Sequence, residues 1–215
     1  MRIIAGKHRG RLLIGPKDQT TTRPITDRVK ETLFNRLHSL GALDGGPVAD
    51  VFCGTGSMGL EALSRGAAHC TFVDRDRDAV QRLQENLETL RETERATVVQ
   101  GAAVPPAWVS RLADDALSVA FVDPPFAMAR PRETENLEQP KSQANPSRLP
   151  NGMDTLLDAL LPKLTPGGVI VYRTDAETQA PEIAGYDGPD REVYGAMAVH
   201  LFQRPLDVES ETESA

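Results

Sequence analysis

The sequence predicts an α/β fold: a mostly parallel seven-stranded sheet with an antiparallel edge hairpin, plus a small N-terminal hairpin-helix extension. Three observations predict it. From residue 48 onward, short apolar runs alternate with stretches of helical periodicity, which is the pattern of parallel strands joined by crossover helices. A glycine-rich turn, "CGTGSMG", links the first apolar run to the first of those helices. The last regular segment, "REVYGAMAVHLFQR", reads as two strands around a glycine turn and sets antiparallel strands at one edge.

The elements follow in order. "RIIAG" and "RGRLLI" flank the Gly6 to Gly10 turn as a basic hairpin. Val29, Leu33, Leu37 and Leu40 recur at helical spacing, with Thr26 or Asp27 available as the N-cap, and Gly41 to Pro47 ends the helix. "VADVF", "CTFVD", "ATVVQ", "SVAFVD" and "GVIVYR" are the expected core strands. Helices are expected over Gly59 to Arg65, closed by Gly66, along the face Ala79, Val80, Leu83, Leu87 and Leu90, and along Leu156, Leu157, Leu160, Leu161 and Leu164. The domain reading is 1–42 as the basic extension, 43–204 as the main domain with a polar, proline-bearing insertion at 130–151, and 205–215 as an acidic disordered tail. An insertion of that length is expected to be a functional lid or disordered.

Composition excludes several classes. No apolar stretch nears the roughly 18 residues of a membrane span, and the N-terminus lacks the apolar h-region of a secretory signal, so a soluble cytoplasmic protein is expected. The two cysteines, Cys53 and Cys70, have no paired metal-ligand spacing and are expected in or beside core strands. No metal and no membrane partner are expected. Charge is uneven: residues 1–30 carry eight Lys or Arg against two acids, +6, leaving −13 for the rest of a chain whose total is −7. A basic arm on an acidic body is a candidate polyanion-binding patch.

Two stretches carry chemistry. Gly54, Gly56 and Gly59 satisfy G-x-G-x-x-G directly after a strand and into a helix, where a tight turn lets backbone N–H groups meet a ligand. Asp74, 20 residues beyond Gly54, is placed to accept hydrogen bonds from ribose hydroxyls. This fits either a nicotinamide dinucleotide or S-adenosylmethionine. Asp50 helps to separate them, because a carboxylate beside the loop would repel a pyrophosphate but could hold the ammonium of a methionine moiety; a structural role as a turn acceptor stays open for it.

The second stretch is "VAFVDPPF". Asp123 follows the fourth strand at its carboxyl end, where open α/β sheets bind ligands, and Pro124 and Pro125 stiffen the turn. An Asp123 oxygen and the Pro124 carbonyl could accept both hydrogens of one exocyclic NH₂ while Phe126 stacks on the ring, worth about 1 to 3 kcal/mol. Pulled toward tetrahedral geometry, the amine would aim its lone pair at a methyl sulfonium, and alignment and charge stabilisation would supply the catalysis.

With the DPPF tetrad, "DVFCGTGSMGLEALSRGA", "RIIAGKHRGR", "RPITDRVKETLFN" and "REVYGAMAVHLFQR", the chain resembles the bacterial 16S rRNA guanine-N2 methyltransferases of the RsmD type over nearly its whole length, the insertion and the tail excepted. The resemblance implies a Rossmann-like enzyme that uses S-adenosylmethionine to methylate the exocyclic amine of one guanine in the rRNA of the small ribosomal subunit, as 16S rRNA or as an assembling particle. It implies Asp50, Gly54, Thr55, Gly56, Gly59, Asp74 and Ala102 at the cofactor, and Asp123, Pro124, Pro125 and Phe126 at the target base. Arg23, Thr26, Asp27 and Arg28 match the family's linker motif beside the active site, and Arg2, Lys7, Arg9, Arg11, Arg23 and Arg28 become RNA contacts.

Two positions depart from the family pattern: Ala102 stands near the third strand's end where Asp or Asn is common, and Arg173 follows the fifth strand where an acid is common. Neither is expected to touch the transfer site. His8 is a candidate phosphate contact; His38, His69 and His200 are expected to be structural or surface residues, and Trp108 a packing residue. Alternative readings keep the chemistry on DNA adenine or protein glutamine, or make the chain a non-catalytic RNA-binding relic. A nicotinamide oxidoreductase leaves Asp50 and the tetrad without a purpose.

Overall fold

Strands rich in β-branched and aromatic residues, buried on both faces, need a layer of helices on each side. The computed structural model, which describes residues 1–17, 25–125, 128, 152–180 and 182–206, has that arrangement. Strands β1 (Val48–Val51), β2 (Cys70–Asp74), β3 (Ala96–Gln100), β4 (Leu117–Val122) and β5 (Leu164–Asp175) run parallel. Strand β7 (Met197–Gln203) is antiparallel to β5, and β6 (Asp187–Tyr194) is antiparallel to β7. The sheet order is β3-β2-β1-β4-β5-β7-β6. This is the Rossmann-like, mostly parallel seven-stranded sheet that the sequence predicts, with its antiparallel edge hairpin in place.

Period-2 alternation sends neighbouring residues to opposite layers. Val119 and Phe121 of β4, with Val169 and Val171 of β5, join a core shared with α1 (Asp27–Ser39), α2 (Ser57–Arg65) and α3 (Arg77–Leu90). Ala120, Val122, Ile170 and Tyr172 face the other layer, packed by α4 (Met153–Leu160). Cys53 and Cys70 are both buried, Cys70 opening β2 and Cys53 just beyond β1, as expected. No described helix is long and apolar enough to cross a membrane.

Helix α1 starts where its cap predicts, with Thr26 Oγ1 accepting from the Val29 N–H. Helix α2 begins two residues before the expected Gly59. The expected last helix is shorter than its leucine pattern: Pro162 lies just past α4 in a 3₁₀ turn, and Leu164 belongs to β5, opposite Leu117. Proline lacks the N–H that a continuing helix needs, so it outweighs the leucine periodicity. The N-terminal hairpin is reduced to one antiparallel bridge, Arg2 with Leu12, beside the bonds Ile3 N–H to Arg11 O and Leu13 N–H to Met1 O, both 3.0 Å. Its buried side chains, Ile3 and Leu13, enter the same core as α1 and α2.

Candidate active site at the β1–β4 crevice

The strand order reverses direction between β1 and β4, and the carboxyl ends on either side of such a switch leave a crevice. A cavity of about 460 Å³ lies there, within the range of small-molecule sites. Asp50, Gly54, Thr55, Asp74 and Ala102 line it, and so do Asp123 and Pro125. The two predicted sets, one from the glycine loop and one from the DPPF turn, therefore share one space.

Each residue is placed by local structure. After β1 the chain turns back so that Phe52 and Cys53 both donate to Val73 O. Gly54 has a positive φ of 53°, and a side chain added there would meet nothing within 4 Å; the loop is open to the cavity at that point. Gly59 works differently, because a Cβ would come within 2.5 Å of Cys70 Sγ and closer still to Phe72. It seats α2 on β2, and neither Gly59 nor Gly56 lines the cavity.

Asp74 fastens the loop from the next strand: one oxygen accepts from Gly54 N–H at 2.7 Å and the other from Asp76 N–H at 2.9 Å. Each carboxylate oxygen keeps a further lone-pair site for a ligand hydroxyl. Asp50 is buried and accepts from Gly59 N–H at 2.8 Å, so the turn-acceptor role is present, yet it also lines the cavity. Burial pushes its carboxyl up to about 8; the Gly59 bond opposes this, and the nearby Asp123 and Asp74 add to it. A cation brought beside Asp50 would reverse that cost.

At the DPPF turn, the Asp123 N–H donates to Val51 O at 3.2 Å, tying the end of β4 to β1. Pro124 is buried and does not line the cavity, while Pro125 lines it and its carbonyl accepts from Met128 N–H at 2.7 Å. Phe126 lies outside the described residues, as do Arg23, the insertion 130–151 and all of the tail beyond Leu206.

Arg173 corrects the expectation set for it. Its Nε donates to Asp123 Oδ1 at 2.6 Å, and its side chain, 11% exposed, lines the cavity. The register explains the placement: Val122 pairs with Tyr172 in the parallel β4–β5 ladder, so the next residues, Asp123 and Arg173, stand side by side. That neighbour was legible only once β5 was set beside β4. Ala102 does line the cavity.

The N-terminal arm also reaches the site. Met1, Pro16, Lys17 and Ile25 line the cavity. Two buried carboxylates and one buried amide hold the arm down: Glu61 accepts from the N–H groups of Ile4 and Ala5, Glu92 receives Lys7 and His8, and Asn86 exchanges bonds with both backbone groups of Ile14 while donating to Thr55 O. His8 is thus not free for phosphate; its Nε2 is 2.5 Å from Glu92 Oε1. Bonds from His8, Arg95 and Lys7 outweigh burial and hold Glu92 below the usual carboxylate range. Lys30, counted in the basic arm by sequence, is buried against Glu61 at 3.3 Å and donates to Arg2 O. Arg2 and Lys7 are exposed but paired, to Asp27 and Glu92. Among the described residues Arg9, Arg11 and Arg28 are exposed without an acidic partner. Trp108 packs in the second core layer, His200 is buried, and His69 bonds Thr97, all as expected.

Comparisons with known proteins agree with this architecture. The family model Cons_hypoth95, "Conserved hypothetical protein 95", matches residues 1–145. Ribosomal RNA small subunit methyltransferase D of Escherichia coli (strain K12) is 36% identical over 216 residues, covering 99% of this chain and 94% of the relative. YlbH of Bacillus subtilis (strain 168) is 36% identical over 205 residues, covering 95% and 99%. The solved structure of yhhF from Escherichia coli aligns with a TM-score of 0.68 at 33% identity, covering 95% of this chain and 98% of that one. The cavity, the sheet order and these likenesses agree, and the chain belongs to the conserved hypothetical protein 95 family, the RsmD methyltransferase family.

Proposed function

We propose that this protein transfers a methyl group from S-adenosylmethionine to the exocyclic N2 of a guanine in 16S rRNA, with Asp123 as the acceptor that orients the amine. The observation that carries the proposal is the single cavity in which the loop residues Asp50, Gly54 and Asp74 lie together with Asp123 and Pro125. The residues suit the cofactor: an open backbone at Gly54, a carboxylate at Asp74 for ribose hydroxyls, and a buried carboxylate at Asp50 for an ammonium. An ammonium beside Asp50 would draw its carboxyl back toward the ionised form and pair with it, whereas a pyrophosphate would hold it neutral and gain no ion pair, which favours a methionine moiety over a dinucleotide. Of the relatives of matching length, the Escherichia coli one is named "Ribosomal RNA small subunit methyltransferase D" and the Bacillus subtilis one "Putative rRNA methyltransferase YlbH", which supports the substrate class.

When bound, S-adenosylmethionine supplies a methyl group on a positively charged sulfur, which departs as a neutral thioether. Asp123 accepts an amine hydrogen and turns the nitrogen lone pair toward the methyl carbon; of the other expected partners, Pro124 is not part of the cavity lining and Phe126 lies outside the described residues. Positive charge grows on that nitrogen as its bond to carbon forms. The Asp123 carboxylate stabilises it and takes up the departing proton. Effective alignment and local electrostatics of this kind suffice without a covalent enzyme adduct.

Labelled-methyl transfer onto 16S rRNA and onto small subunits from a strain lacking the gene tests the proposal. Asp123→Ala should cut transfer at least about a hundredfold while calorimetry shows S-adenosylhomocysteine still binding. Retained transfer, or transfer to DNA or protein in preference to rRNA, would overturn it.

A further inference from the structure

We infer that Arg173 is a positioning residue for methyl transfer: from β5 its guanidinium fixes one oxygen of Asp123, so that the other is left for the amine. The inference rests on the role proposed above for Asp123.

Three observations carry it. The register sets Arg173 next to Asp123 on the neighbouring parallel strand, and the Nε to Oδ1 bond is 2.6 Å. Both residues line the cavity rather than the exterior of the sheet, and Arg173 is nearly buried there. A guanidinium taken out of water costs several kcal/mol unless it is paired, so Arg173 stays in place because Asp123 holds it and, in turn, holds Asp123. Nε is one of five guanidinium donors, which leaves the rest of the fork for the cavity or its contents.

The charges around Asp123 show what the contact does. Asp50 faces it from β1 and Arg173 from β5, with Asp74 of β2 in the same cavity; Lys17, Arg75, Asp76, Asp78 and Arg82 complete the charged lining. Burial raises the Asp123 carboxyl above its usual range, and Arg173 opposes that rise through its charge and its hydrogen bond. Arg173 also opposes the rise at Asp50. A protonated Asp123 would turn an O–H toward the amine hydrogens and carry no charge against the cation that develops on nitrogen. Arg173 therefore keeps Asp123 an acceptor at pH values where burial alone would make it a donor.

The test is the pH profile of kcat/KM for rRNA with S-adenosylmethionine saturating, for wild type, Arg173→Gln and Arg173→Lys, with Asp123→Asn run beside them. Asp123 must be ionised to act, and loss of Arg173 raises its pKa. The acidic limb of Arg173→Gln should therefore move to higher pH by about one unit or more, making the variant roughly tenfold slower on the acid side and closing the gap in alkaline buffer. Arg173→Lys, which keeps the charge, should leave the limb near its wild-type position with only a few-fold lower rate. An Arg173→Gln variant with wild-type rate and limb overturns the inference, as does a loss equal at all pH values that Lys does not relieve. If Asp123→Asn is fully active, the assignment of Asp123 itself fails. If it is inactive while Arg173→Gln matches wild type, only the role of Arg173 fails.

Discussion

At the scale of single residues, the cavity concentrates carboxylates, and Asp50 is the one whose state the fold strains most. Its carboxyl sits near 8 in the folded chain against an ordinary 3.8, chiefly through burial. Between those values the folded protein keeps a proton that the unfolded chain releases, so stability falls as pH rises from about 4 to about 8 and levels off above, at a limiting slope of about 1.4 kcal/mol per pH unit. Asp50→Asn removes the titrating group. Urea unfolding at pH 5 and pH 8.5 should show the wild type losing several-fold more stability than the variant over that interval, and equal losses would place the strain elsewhere. Asp50, Gly54, Asp74 and Asp123 were legible in the sequence because each stands at a fixed offset from a strand end, and strand ends are marked by where apolar runs stop. Arg173 was not, since its partner depends on which strands are neighbours and in what register. Within the last residues of β5, it carried no signal until the order β1-β4-β5 and the pairing of Val122 with Tyr172 were known.

At the scale of elements, β2 and β3 fall where their apolar runs predict, because runs of β-branched residues bounded by turns leave few alternatives. The contacts that bind one element to another were not legible. Glu61 and Glu92 look like surface acids within or just past helical stretches, yet both are buried and hold the N-terminal arm. Nothing in the one-dimensional pattern separates a solvated Glu on α2 from one that accepts the Ile4 and Ala5 N–H groups and faces Lys30. Burial already presses the Lys30 ammonium below its usual range, with Glu61 as the main opposition. Glu61→Ala would leave that ammonium buried and unpaired and the two N–H groups without their acceptor, a loss of about 3 to 5 kcal/mol. Denaturation in urea should show the loss directly. Adding Lys30→Met should recover part of it by removing the stranded charge, but not all, because Ile4 and Ala5 still lack an acceptor; full recovery would mean that the backbone bonds contribute little.

At the scale of the whole molecule, the arm that closes one side of the cavity also carries free positive charge. Of the basic residues in the first thirty, Lys7, Lys17 and Lys30 face acids of the main domain and Arg2 faces Asp27. That leaves Arg9, Arg11 and Arg28 as exposed, unpaired charges among the described residues, on a chain whose remainder carries −13. An acidic body repels a polyanion from most approaches, so on the proposed function exposed arginines of the arm would bias the orientation in which rRNA reaches the crevice. Each phosphate they neutralise contributes about 0.7 to 0.9 to the slope of log affinity against log salt. Replacing Arg9 and Arg11 together by Ala should weaken binding to 16S rRNA and lower the magnitude of that slope by about 1.5, with methyl transfer recovering at high RNA concentration because the cavity is untouched. Arg111→Ala, an exposed arginine on the 3₁₀ turn Ala107–Arg111 beyond β3, should leave the slope as it was. If the double variant kept the wild-type slope, or if Arg111→Ala flattened it equally, rRNA would be docking on another face and the charge imbalance of the arm would not be what steers it.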